Sequence, residues 1–165
     1  MKKILSGIAL LASVAVLVSC EYDNYSEPDT FLTGNIVYQG KPLNVRNKEV
    51  TFRLYEEGWE LSSSTYLNVA VAQDGSFSAA IFKGKDYRIE RQNNIGPWVN
   101  PTEADIISLK NYDGSPVNVE VIPYYLLDNA NITCSGKVVT GSATVRQVAG
   151  GLAVEKVGLY VSRNI

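Results

Sequence analysis

Apolar and polar side chains alternating with a period of two constrain this chain more than any other feature. Val50, Phe52 and Leu54 alternate with Thr51, Arg53 and Tyr55. Successive side chains of a strand point to opposite faces, so the pattern predicts a strand with one buried face. The same mark recurs at Leu67, Val69 and Val71, at Phe77, Ala79 and Ile81, at Tyr87 and Ile89, and at Val117, Val119 and Val121. Phe31 to Tyr38 reads as a first strand and Ile106 to Lys110 as a short one. Turn chemistry separates them. Gly40-Lys41-Pro42 is one turn, and Asp74-Gly75 is the strongest hairpin signal in the chain. No helical stripe interrupts this pattern, and Pro101 to Asp105 is the one short stretch that reads as a helical turn. Roughly seven strands, with turns about every 8–12 residues, predict an all-β sandwich.

The first residues do not belong to that pattern. Met1-Lys2-Lys3 is positive, and Ile4 to Val18 is a nearly unbroken apolar run. The run is shorter than the roughly 20 residues a spanning helix needs, and it suits the apolar core of a secretion signal. It ends in Leu17-Val18-Ser19-Cys20. That order resembles the bacterial lipobox, which implies cleavage before Cys20 and acylation of Cys20; an ordinary secretory signal ending on a Cys is the alternative. Several acyl chains would anchor the chain stably, whereas a single chain binds only marginally. Residues 1–19 are therefore expected to be a lipoprotein signal peptide. Residues 20–30 are expected to be the lipidated Cys and an acidic tether, since Glu21 to Thr30 carries four acids, no base and no aliphatic residue. Acids just after the Cys resemble the surface-export signals of Bacteroidetes lipoproteins. The expected location is the outer membrane, lipid-anchored and displayed outward.

Composition removes several function classes. The chain has no His, which excludes Ser–His and Cys–His nucleophile pairs, and with two Cys it offers little for an ordinary zinc site. A formal charge of −2 gives no basic face for nucleic acid. With Cys20 lipidated, Cys134 is the one free thiol, and it reads as a small buried hydrophobe on the side of a strand shared with Ile132.

Gly34, Val37, Gly40-Lys41-Pro42-Leu43 and Val50-Thr51-Phe52 resemble the opening of carboxypeptidase-regulatory or transthyretin-like sandwich domains. Asp74-Gly75-Ser76-Phe77 followed by Gly84-Lys85-Asp86-Tyr87 resembles their later hairpin, with Asp and Gly adjacent here rather than one residue apart. The lipobox, Glu21-Tyr22-Asp23-Asn24-Tyr25, the Gly96-Pro97-Trp98 loop and Val121-Ile122-Pro123-Tyr124-Tyr125 together resemble an uncharacterised family of Bacteroidetes lipoproteins encoded in polysaccharide-utilisation loci. The resemblance implies a prealbumin-like β-sandwich over residues 31–124, followed by an immunoglobulin-like one. Residues 125–165, with expected strands at Ile132 to Val139, Ala143 to Val148 and Glu155 to Val161, supply only the first strands of that second domain. An immunoglobulin-like sandwich takes about 100 residues. Either the chain is truncated relative to its family, or these strands pack on the first domain. No catalytic motif and no cofactor come with the resemblance. It implies as partners the membrane, through the lipid anchor, together with polysaccharide and an outer-membrane transporter complex.

Candidate chemistry is sparse. Glu56, Glu57 and Glu60 cluster, but a Gly-containing hairpin loop does not hold two carboxylates at the fixed separation a glycosidase pair needs, so they read as a solvated loop. Asp113-Gly114-Ser115-Pro116 is turn chemistry without the spacing of a calcium loop. Gly150-Gly151 lacks the Lys and Ser or Thr of a phosphate loop. The aromatics carry more. Trp59 and Trp98 both fall in expected loops, and Trp98 has Asn93, Asn94 and Asn100 close by. A flat ring flanked by amides suits a sugar, the ring taking the C–H face and the amides the hydroxyls. Each Trp folding back to plug an open end of the sandwich is the competing role. The expected function is non-catalytic, accessory to polysaccharide capture or uptake at the outer membrane. The alternative is a spacer or assembly partner of a transporter complex without its own ligand.

Overall fold

A computed structural model describes residues 26–46, 49–59, 65–151 and 153–161. Cys20, most of the expected tether and Glu60 lie outside the described residues. The fold is all-β, with ten strands and a single 3-10 turn, Glu103–Asp105, among the described residues. No helix among them is long and apolar enough to cross a membrane.

The alternating segments become the strands of two sheets. The first is built around β1 (Thr30–Tyr38), which pairs antiparallel with β5 (Ser76–Ile81) and with the two-residue β2 (Lys41–Pro42). β1 also pairs in parallel with β8 (Val117–Glu120), from Gly34↔Val117 to Val37↔Glu120. The second sheet is antiparallel throughout, in the order β4 (Leu67–Ala70), β3 (Thr51–Glu56), β6 (Tyr87–Arg91), β7 (Ile107–Leu109). Phe52 and Leu54 of β3, Val69 of β4 and Ile89 of β6 face inward and meet Leu32, Ile36, Phe77 and Val119 of the first sheet. Phe52 and Phe77 cross the layers edge to face, with ring centroids 4.8 Å apart. Two Tyr hydroxyls close one end of this core, their ring centroids 6.3 Å apart. Tyr87 donates to Phe82 O and accepts from Phe82 N, both at 2.9 Å, and Tyr112 donates to Ser115 O at 2.9 Å.

The Asp74-Gly75 turn differs from the expected hairpin. Asp74 Oδ1 accepts from Ser76 N at 3.0 Å and Ser76 Oγ at 2.6 Å, which forms the turn. The strands on either side belong to different sheets and share one isolated bridge, Val71↔Phe77. The turn therefore carries the chain across the sandwich rather than back along one sheet.

Beyond the sandwich, β9 (Tyr125–Ser135) and β10 (Val138–Gln147) form a two-stranded antiparallel ribbon with a register shift between Ser142 and Thr144. The expected strand from Ile132 to Val139 is corrected: the chain turns at Gly136-Lys137, with Gly136 at φ +59°, in the middle of that run. The described residues from Glu155 to Val161 form no strand, contrary to expectation. Cys134 is exposed rather than buried, because neither face of this ribbon is covered at that position. Tyr124 joins ribbon and sandwich through backbone hydrogen bonds. Its N–H donates to Pro97 O at 3.0 Å, and its carbonyl accepts from Val148 N at 2.9 Å and Ala149 N at 3.4 Å.

Candidate functional site

Where β3 ends, Glu57-Gly58 turns the chain, Gly58 taking φ +86°, and Trp59 follows. The turn is fixed from below. Glu57 N donates to Asp86 O at 2.9 Å, and Lys110 Nζ bridges the carboxylates of Glu57 and Asp86, the latter at 3.1 Å. The two carboxylates hold the Lys110 ammonium above its ordinary pKa, Glu57 contributing most. The Asn111 N–H, and after it Lys110, hold the Asp86 carboxyl below its usual range.

This turn edges a cleft of about 270 Å³ at the end of the sandwich where β1 begins. Leu54, Leu67, Ile81 and Phe82 form its apolar walls. Trp59 and Tyr66 supply rings, Glu56 a carboxylate and Thr65 a hydroxyl. Trp59 is 62% exposed, so a ring face is open to solvent. Tyr66 is braced from the outer face of the second sheet: the Arg53 guanidinium lies 4.4 Å from its ring centroid, and the Tyr55 ring 5.6 Å away. An exposed indole beside a second ring, with a carboxylate and a hydroxyl at hand, offers a stacking surface and hydrogen-bonding groups for a compact polyhydroxylated ring.

The loop from Asn93 to Asn100 does not form that kind of surface. Trp98 is 4% exposed and belongs to the core cluster. Its role as an open sugar platform is therefore corrected: the ring plugs the opposite end of the sandwich, where the backbone bridges to Pro123. Its Nε1 is buried without a hydrogen-bond partner. Asn94 and Asn100 spend their amides on each other. Asn94 N donates to Asn100 Oδ1 at 2.7 Å, and Asn100 Nδ2 donates to Asn94 Oδ1 at 3.3 Å. Asn93 lines a separate polar depression of about 360 Å³ with Arg53, Glu90 and Gln92. That depression adjoins the Thr51 end of β3, to which Gln92 Nε2 donates at 3.4 Å, and Trp59 lies past the Glu56 end. Five strand steps separate the two ends, roughly 17 Å. The fold thus separates Trp59 from Trp98 and all three Asn.

Three contributors to the Trp59 cleft were not singled out as site residues in the sequence: Glu56, Thr65 and Tyr66. Glu56 reads there as part of a solvated loop, yet it ends a strand and lines the cleft. An aromatic directly after the polar run Ser62-Ser63-Ser64-Thr65 is the one signal that points to Tyr66. Asp113 behaves as read, its carboxylate accepting from Ser115 N at 2.9 Å within a turn.

A two-sheet sandwich with an aromatic-lined cleft at one end and a β-ribbon at the other defines a protein of the β-sandwich module class. The chain belongs to the DUF3823 family: residues 30–122 match the family model described as "Protein of unknown function (DUF3823) N-terminal domain". Among solved structures it is similar to a DUF3823 family protein from Parabacteroides merdae, with 32% identity and a TM-score of 0.65 over 75% of this chain and 61% of that one. A DUF3823 family protein from Bacteroides ovatus is 30% identical, with a TM-score of 0.62 over 73% of this chain and 59% of that one. A protein from Bacteroides uniformis called a "putative carbohydrate binding protein" shares the fold at 16% identity and a TM-score of 0.55, over 74% of this chain and 55% of that one. The chain therefore spans about three-fifths of the length of its solved relatives. No curated protein matches it.

Proposed function

We propose that this chain is a non-catalytic lipoprotein of the cell envelope, anchored through Cys20, that helps capture polysaccharide at the outer membrane through the Trp59 cleft. The open ring face of Trp59, set beside Tyr66 and Glu56 on a turn held by Lys110, carries this reading. The name of the Bacteroides uniformis structure points the same way. The full chain, solubilised in detergent, is expected to be retarded in native gels containing at least one polysaccharide. Trp59→Ala abolishes that retardation while changing stability by no more than about 0.5 kcal/mol, because the side chain is surface-exposed. Unaltered retardation in Trp59→Ala would rule out the cleft.

A second reading, a spacer or assembly partner of an outer-membrane transporter complex, is supported by the exposed apolar side chains of the ribbon, Ile132 and Val138 among them. Copurification with a transporter and no polysaccharide retention would select it.

A further inference from the structure

We propose that the Trp59 cleft accepts uncharged sugar rings and turns acidic ones away, with Glu56 as the residue that discriminates. This rests on the reading of the cleft as a glycan site, and it names the class of glycan. Among the described residues that line the cleft, the ionisable ones are Glu56, Tyr66 and Tyr87, and none is a Lys or Arg. A carboxylate or sulfate carried by a sugar would lose hydration on entry and find no cation to replace it.

The surrounding charges do not cancel this deficit. Lys85 Nζ stands 3.8 Å from Glu56 Oε1 and is mostly exposed, so water screens that pair. Lys110 is shared between Glu57 and Asp86. Around the turn three carboxylates, Glu56, Glu57 and Asp86, face two ammonium groups, Lys85 and Lys110. Among the described residues of the turn one negative charge is left in excess, while the Arg53 guanidinium is stacked on the Tyr66 ring, does not line the cleft and is offset by Glu90. Burial is the main cause that raises the pKa of the Tyr87 hydroxyl at the cleft wall; its Phe82 backbone hydrogen bond opposes this, and the charges of Glu56 and Asp29 add a smaller upward push. Apolar walls at Leu54, Leu67 and Phe82 lower the local polarisability and let this field reach a bound ring. A neutral sugar meets the opposite balance. Its hydroxyls can donate to the Glu56 carboxylate, a charge-assisted bond, and exchange bonds with Thr65. Selectivity then comes from repulsion of the wrong class as much as from attraction of the right one.

The test is a set of native affinity gels at low ionic strength with the full chain in detergent. The probes are starch, xylan, galactomannan and a β-glucan as neutral polymers, and polygalacturonate and chondroitin sulfate as acidic ones. The expected result is retention by at least one neutral polymer, with both acidic polymers bound at least about tenfold more weakly. Glu56→Gln should bring the two classes to within about threefold of each other. Added salt should narrow the gap in the unmodified protein and leave Glu56→Gln unchanged. An acidic polymer retained as strongly as a neutral one, and released by Trp59→Ala, would overturn the inference and leave the glycan reading standing. A gap that survives Glu56→Gln would overturn the role of Glu56. No retention by any polymer would sink the glycan reading itself, and the inference with it.

Discussion

At Gly96 the backbone sits at φ +94°, and a Cβ there would lie 2.3 Å from Cζ2 of the Trp98 ring. Small size and left-handed backbone are both required, because the loop closes directly over the indole it delivers to the core. Gly96→Ala should therefore cost about 2 kcal/mol, read as a lowered urea midpoint with an unchanged slope. Trp98→Ala should cost roughly 3–5 kcal/mol through the cavity it leaves, and in Trp98→Phe, which leaves a smaller cavity, glycan retention should persist. The contrast with Trp59, where truncation affects ligand and spares stability, is measurable in the same two assays. Both Trp residues were legible in the sequence as loop aromatics with two competing roles. Which role each takes depends on contacts far away in the chain, Pro123 for Trp98 and Asp86 with Lys110 for the turn before Trp59. Alternation along a strand records which face is buried but carries no information about how a loop folds over the end of a sandwich.

At the scale of the element, the strands with the clearest alternation are the ones sequence reading placed well. β3, β5, β6 and β8 each carry a buried stripe that pairs with a partner across the core, so local pattern and tertiary packing agree. The ribbon was legible only in part. β9 and β10 face solvent over most of their length, so burial imposes no alternation and the turn at Gly136-Lys137 leaves a weak mark. The pairing of Arg146 Nε with Asp128 Oδ2 at 2.5 Å and the two bonds to the Tyr124 carbonyl are what fasten its base. A two-stranded ribbon has little stability of its own. Amides of β9 beyond Asn131 should exchange with deuterium faster than those of β3 and β6 by at least about tenfold. Equal protection in the two elements would show that the ribbon belongs to the same cooperative unit as the sandwich.

For the whole molecule, the distribution of ionisable groups sets the response to pH. There is no His. Asp74, Asp86, Asp105, Asp113 and Asp128 are held below the ordinary carboxyl range, chiefly by hydrogen bonds from Ser76, Asn111, Thr102, Ser115 and Arg146 respectively. Their contribution is present above the unfolded carboxyl pKa and is lost as pH falls through the folded values. Burial raises Tyr87 and Tyr112, and the carboxylates of Glu57 and Asp86 raise Lys110. Their contribution is present below the unfolded values and is lost as pH rises through the folded ones. The urea midpoint should therefore stay level between about pH 5 and 9, fall below about 4 and fall again above about 10. A step near pH 6.5 would contradict this assignment of groups. The parallel pairing of β1 with β8 has a mechanical consequence. The chain enters at Thr30, at the near end of β1, and passes on from Glu120, beside Val37 at the far end. Tension applied along the chain, between Thr30 on one side and the ribbon on the other, would load the β1–β8 hydrogen bonds in shear and all together. Tension across the directly opposed pair Thr30↔Ile81 would peel β1 from β5 one bond at a time. Single-molecule pulling from residues 30 and 121 should thus need a higher force than pulling from residues 30 and 81. At Gly34 a Cβ would fall 1.7 Å from Val117 O, so Gly34→Ala should push the two strands apart and remove that difference.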